Sequence, residues 1–143
     1  MKQAQDLGVP RSRLRASDID SRFHGTRVVC AEFPPPSRRF DEARDHELAL
    51  IRVLGTRLLE NQFFSHRSAA LLWEAPLPYA PPELHVSTIK PLPAPRIKGA
   101  VGHRMLPSRV RLRDVDGLRV LSPSFTFATL GAMPLVDLVI LGD

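Results

Sequence analysis

Phe64-Ser65-His66-Arg67-Ser68-Ala69-Ala70-Leu71-Leu72-Trp73, followed by Pro76-Leu77-Pro78, is the stretch on which the fold turns. Ser65 stands where a hydroxyl accepts from the free N–H groups of a first helical turn. Ala69, Leu72 and Trp73 recur at the three- and four-residue spacing of one helix face. Pro76, with no N–H to donate, closes the segment. The spacing predicts a short buried helix from Ser65 to Trp73 with a sharp exit, packed on whatever its neighbours supply.

Upstream, the pattern from Asp41 to Asn61 is helical: Leu50, Ile51, Leu54 and Leu58 form an apolar stripe, and Asp41, Glu42, Asp45 and Glu47 sit toward the positive end of the helix dipole. His46, among those acids, reads as solvent-facing. Downstream, a proline-studded loop from Pro76 to Pro82 leads to Leu84–Ile89, whose alternation and branched residues predict a strand. After a second loop, Lys90 to Pro95, three further strands are expected at Ile97–Met105, Val110–Val115 and Leu118–Leu121. Asp116-Gly117 joins the last two as a tight hairpin. Ser122-Pro123 then starts a helix carrying Phe125, Ala128 and Leu130, and Pro134 opens another bearing Leu135, Leu138, Val139 and Ile140. The class is α+β, a small mixed α/β domain with a short sheet of about four strands and about four helices.

Before this domain, Gly8 closes one short helix, Val9 packs back, and Pro10 opens the next, the grammar of a truncated helix-turn-helix or winged-helix-like N-terminus. The second helix would present Arg11, Ser12, Arg13 and Arg15, chemistry suited to phosphates and base edges in a major groove. A glycine turn at Gly25 runs into the branched segment around Val28 and Val29, as a strand or wing would. Pro34-Pro35-Pro36 favours an extended rigid linker and divides the chain into segments 1–33 and 37–143.

The chain has 143 residues and a net charge of +5, and 17 of its 20 cationic side chains are arginine. Arginine's planar fork suits phosphate and guanine edges, although a genome rich in G and C also raises arginine content. Residues 1–39 and 90–119 each hold eight Lys and Arg, against four and two acids, and Arg109, Arg111 and Arg113 read as one side of an alternating strand. Brought onto one face, such groups would bind polyanions with an affinity that falls steeply with salt. The single thiol, Cys30, permits no intrachain disulfide and reads as a small buried hydrophobe. The sequence lacks a run of 18 apolar residues and the apolar core of a signal peptide, so a cytoplasmic protein without a membrane span is expected.

Catalytic chemistry finds little support in the residue pattern. Ser65 and His66 are adjacent, but neighbours on one helix turn point apart, and no positioned acid accompanies them. His85 and His103 could face one another on two strands, yet no third ligand with metal spacing is evident. Glycine-rich phosphate loops are absent, as is a carboxylate cluster followed by lysine. No catalytic residue, metal or cofactor is expected.

The order of the opening block, His85-Val86-Ser87, Asp116-Gly117-Leu118-Arg119-Val120, Ser122-Pro123 and Asp137-Leu138-Val139 resembles the AbiEi-like proteins of actinobacteria, described as type IV toxin-antitoxin antitoxin-domain proteins. The likeness covers most of Leu7 to Asp143. It implies a winged-helix-like start, then a small α/β domain, here without the very-short-patch-repair-endonuclease-like domain found beyond it in many members. Where members often carry glycine after the aromatic-ended helix, this chain has Glu74, and Phe125 stands where they carry an arginine. The expected role is a non-enzymatic, DNA-binding, transcription-regulatory or antitoxin-type module contacting double-stranded DNA. The alternatives are a protein-interaction module for a cognate toxin, for self-association or for a nuclease-domain partner, and an inactive gene fragment.

Overall fold

The computed structural model describes residues 4, 6–20, 28–29, 40–78 and 83–142. In chain order its elements are β1 (Ile19–Asp20), β2 (Val28–Val29), α1 (Phe40–Gly55), β3 (Gln62–Phe64), α2 (His66–Leu72), β4 (Leu84–Ile89), β5 (Ala100–Met105), β6 (Leu112–Val115), β7 (Leu118–Leu121), α3 (Pro123–Thr129) and α4 (Leu135–Gly142). The class is α+β, with four helices of stated range among the described residues. Cys30, the Pro34–Pro36 linker and the 33/37 boundary lie outside the described residues.

The main sheet has five strands rather than about four, in the order β5-β4-β3-β7-β6. The additional strand is β3, at its centre, antiparallel to β4 and parallel to β7. β4 and β5 are parallel, and β6 and β7 form the expected antiparallel hairpin, its turn carried by Asp116 at φ 51° and Gly117 at φ 78°. Phe63 lies opposite Ser87 and Phe64 opposite Val86, so successive phenylalanines leave the strand on opposite faces. Both are buried, and they head two apolar clusters. One gathers Ile51 and Leu54 of α1 with Phe64, Leu84 and Val86; the other gathers Phe63, Ala69, Val120 and Leu121. Each large side chain so buried stabilises the fold by about 1.5–3 kcal/mol relative to exposure.

α1 stops at Gly55 rather than continuing to Asn61. A Cβ there would lie 2.3 Å from Leu118 Cδ2 and 3.6 Å from Phe64, so the helix end presses closely onto the sheet and a larger residue would require the Leu118 side chain to shift. His46 is only 2% exposed, which corrects the solvent-facing expectation: the helix turns His46 and Glu47 inward beside Leu50.

α2 falls where expected but is not capped as expected, because the Ser65 hydroxyl makes no capping bond. The helix ends with Ala75 N–H donating to Ala70 O at 2.9 Å across Glu74, which holds φ 58°. That is a Schellman ending with a non-glycine residue in the left-handed position.

In place of a second N-terminal helix the chain makes a single 3-10 turn, Arg13–Arg15, with Leu14 buried, and β1 pairs with β2 as a two-residue antiparallel ladder. The Pro10 carbonyl receives N–H groups from both Arg13 and Leu14, and Ala16 then turns extended, so the turn does not propagate.

Candidate functional site

β3 hands the chain directly to α2, and this junction builds the site. Ser65 is extended, at φ −145°, and His66 takes φ 50°. The two residues therefore do not share a helical turn, and the expectation that their side chains point apart is corrected. Ser65 Oγ lies 2.9 Å from His66 Nδ1 and 2.6 Å from Ser87 Oγ. Ser65 N–H still donates to His85 O at 3.2 Å, while His85 N–H, left without a strand partner, donates to the Ser68 hydroxyl at 2.8 Å. Arg67 reaches back to α1: its Nε donates to Glu47 at 3.3 Å and its Nη1 to Pro78 O at 3.0 Å.

The register carries His85 and His103 to the same face. Ser87 is the cross-strand partner of His103, and His85 lies two residues from Ser87 on β4. His85 Nδ1 and His103 Nε2 are 2.9 Å apart. His66 stacks on His103 with ring centroids 3.9 Å apart and planes 22° from parallel, and on His85 at 5.5 Å and 25°. One nitrogen from each of the three rings lies within 4.8 Å of the other two. The pairing of His85 with His103 was legible; the third imidazole, from His66, was missed.

All three rings favour the neutral form. Burial holds His66 down, to about 4, and the neighbouring His103 and His85 add to the effect. His85 is lowered chiefly by burial, next by His103, against the opposing pull of the Glu83 carboxylate, whose Oε2 is 3.8 Å from His85 Nε2. His103 is lowered by burial, again against Glu83. Neutral imidazoles offer in-plane lone pairs, which protonated ones do not.

A cleft of about 370 Å³ opens beside the rings, lined by His66, His103 and Phe125 together with Lys90, Arg104 and Arg109. Those three cations are exposed, and none pairs with a carboxylate among the described residues. Arg109 thus belongs with Arg104 and Lys90, not with a strand. It ends the 3-10 turn Pro107–Arg109, Arg111 precedes β6, and only Arg113 stands on that strand, because buried Val110 fixes the chain after the turn. Arg111 and Arg113 are exposed, each donating one bond to the preceding residue's carbonyl.

At the N-terminal end, Arg11, Ser12 and Arg15 are exposed. Arg13 is engaged by Asp18 through two bonds of 2.6 and 2.9 Å, which hold the Asp18 carboxyl below its ordinary range.

Comparison with protein-family models, with curated proteins and with solved structures gives no match for this chain.

Proposed function

We propose that this chain is a non-catalytic regulatory or antitoxin-type module of AbiEi-like character that binds double-stranded DNA through its phosphates, with the cleft mouth as the main contact. The observation that carries this reading is the gathering of Lys90, Arg104 and Arg109, without a carboxylate partner among the described residues, along one cleft. Exposed cations with no internal partner are free to replace the counterions of a phosphate backbone. Arg111 and Arg113 extend the same stretch of chain. Arg11, Ser12 and Arg15 are secondary contacts, and Arg13 contributes less, since its fork is occupied by Asp18. The two-residue ladder of β1 and β2 is consistent with a reduced wing. The non-enzymatic part of the reading is supported by Ser65, whose hydroxyl is fully buried and held by Ser87, out of reach of a substrate.

Fluorescence anisotropy with a labelled duplex tests the reading. Three to five phosphate contacts lower the affinity by about 40-fold to 500-fold between 50 and 200 mM salt. Absence of binding at the lower salt, or affinity indifferent to salt, overturns it.

A second reading, as a protein-interaction module, is favoured by α4. Leu138 and Leu141 pack on the core, but Leu135, Val136, Val139 and Ile140 are 77%, 69%, 56% and 51% exposed, a continuous apolar strip. Sedimentation velocity that finds only monomer at high concentration counts against self-association through this strip. No helix among the described residues is long and apolar enough to cross a membrane.

A further inference from the structure

The geometry points to a binding site for one divalent transition-metal ion of the zinc class, held by His66, His85 and His103 at the junction of β3, α2, β4 and β5. Three side chains of the residue type most used for such ions bring one nitrogen each within 4.8 Å of the others. Two ligands at about 2.05 Å in a tetrahedral arrangement stand about 3.3 Å apart, so the 2.9 Å separation of His85 Nδ1 and His103 Nε2 needs only a small opening. Two of the rings also have a polar group near their outer nitrogen, as metal-bound histidines commonly do. His66 Nδ1 is bonded to Ser65 Oγ, which leaves its Nε2 for the ion. His85 Nε2 faces the Glu83 carboxylate at 3.8 Å, which leaves its Nδ1 for the ion.

All three rings are half-buried, so an ion held among them is partly shielded from bulk water. The rings lie within 25° of parallel, so the His66 ring must turn about its Cβ–Cγ bond to aim its lone pair inward, and the cleft on its open side provides the room. Among the described residues no carboxylate joins the set, so the bound ion keeps a fourth position directed at the cleft. With Lys90, Arg104 and Arg109 around that opening, the position suits an anionic oxygen or water.

The test uses the untagged chain, stripped with chelator and dialysed, and titrated calorimetrically with zinc chloride. A parallel titration with cobalt(II) follows the visible absorption of a four-coordinate site. One ion per chain is expected, with affinity reduced at least 100-fold in His85→Ala or His103→Ala and about 10-fold in Glu83→Gln. Because a histidine variant can misfold, ring signals of the native chain are followed by NMR in the same titration: zinc should move those of His66, His85 and His103 and leave those of His24 and His46 in place. No saturable uptake at ten equivalents, or uptake that moves only the other two histidines, overturns the site. The titration contains no nucleic acid, so its failure leaves DNA binding standing, and failure of DNA binding leaves the metal site standing.

Discussion

Two regions that meet at the His66 ring use polar side chains in opposite ways. In the Ser65–Ala70 block each polar group is committed inside the molecule: Ser65 to His66 and Ser87, Arg67 to Glu47 and Pro78, Ser68 to the His85 backbone. At the cleft mouth Lys90, Arg104 and Arg109 have no internal acceptor among the described residues. Arginine content by itself therefore does not separate the two regions; the presence or absence of an internal partner does. The histidines stand between the two regions: His66 and His103 line the cleft, and His85 bonds His103 behind it.

The contrast breaks most visibly at Arg67. Its side chain is 17% exposed and that of Glu47 3%, and burial pushes the Glu47 carboxyl up despite the guanidinium beside it. Arg67→Ala leaves that carboxylate buried and unpaired, and a loss of about 3–5 kcal/mol is expected in urea denaturation. A loss under about 1 kcal/mol would mean that the block is not committed as described.

Gly102 sharpens the boundary between the regions. A Cβ at that position would lie 1.9 Å from Pro95 O, a backbone atom that cannot swing away. Gly102→Ala should destabilise by about 1–3 kcal/mol and shift the ring signals of the adjacent His103, whereas unchanged stability would show that the Pro95 loop yields freely.

The histidines themselves give a pH signature in the metal-free chain. With His66 near 4 in the folded state and about 6.5 when unfolded, the unfolded chain binds more protons between those values. Stability is thus fully present above about pH 6.5 and declines as the pH falls through that window, by about 1–2 kcal/mol after allowance for the partial exposure of the ring. His85 and His103 act in the same direction, while Glu47, raised by burial, opposes them over the acidic part. Denaturation midpoints measured with chelator at several pH values should show the decline, and His66→Ala should flatten it.

A smaller gain is expected where the helix ends. Glu74→Gly relieves a side chain from φ 58° and should add about 0.5–1 kcal/mol, read as a higher Tm. Smallest of all for stability are Arg104→Ala and Arg109→Ala, expected within about 0.5 kcal/mol of the parent. Each should nevertheless lower the salt slope of DNA binding by about one. A large stability loss in either would erase the distinction between the two regions.

Most of the architecture could be read from residue order where the local signal was long enough. Leu84–Ile89 alternates over six residues, and Asp116-Gly117 names its own turn. β3 escaped because three residues, two of them successive phenylalanines buried on opposite faces, show no alternation in hydropathy. Without β3 at the centre of the sheet, nothing placed His66 beside β4, so the third imidazole stayed hidden. Same-face placement of His85, Ser87 and His103 was recoverable, and a Ser-His pair directly after Phe-Phe was the remaining clue. The N-terminal arginines misled for a different reason: Gly8 does take φ 80°, with Val9 N–H donating to Ala4 O, but the stretch that Pro10 opens closes as a single 3-10 turn.

The three imidazoles belong to chain positions 66, 85 and 103, on strands and a junction that meet only when β3, β4 and β5 are aligned. A slip of β5 by one residue would send the His103 ring through to the opposite side of the sheet. The ring resonances of this trio are consequently a built-in gauge of strand alignment, able to separate correctly assembled molecules from compact but misaligned ones whose helix content is the same.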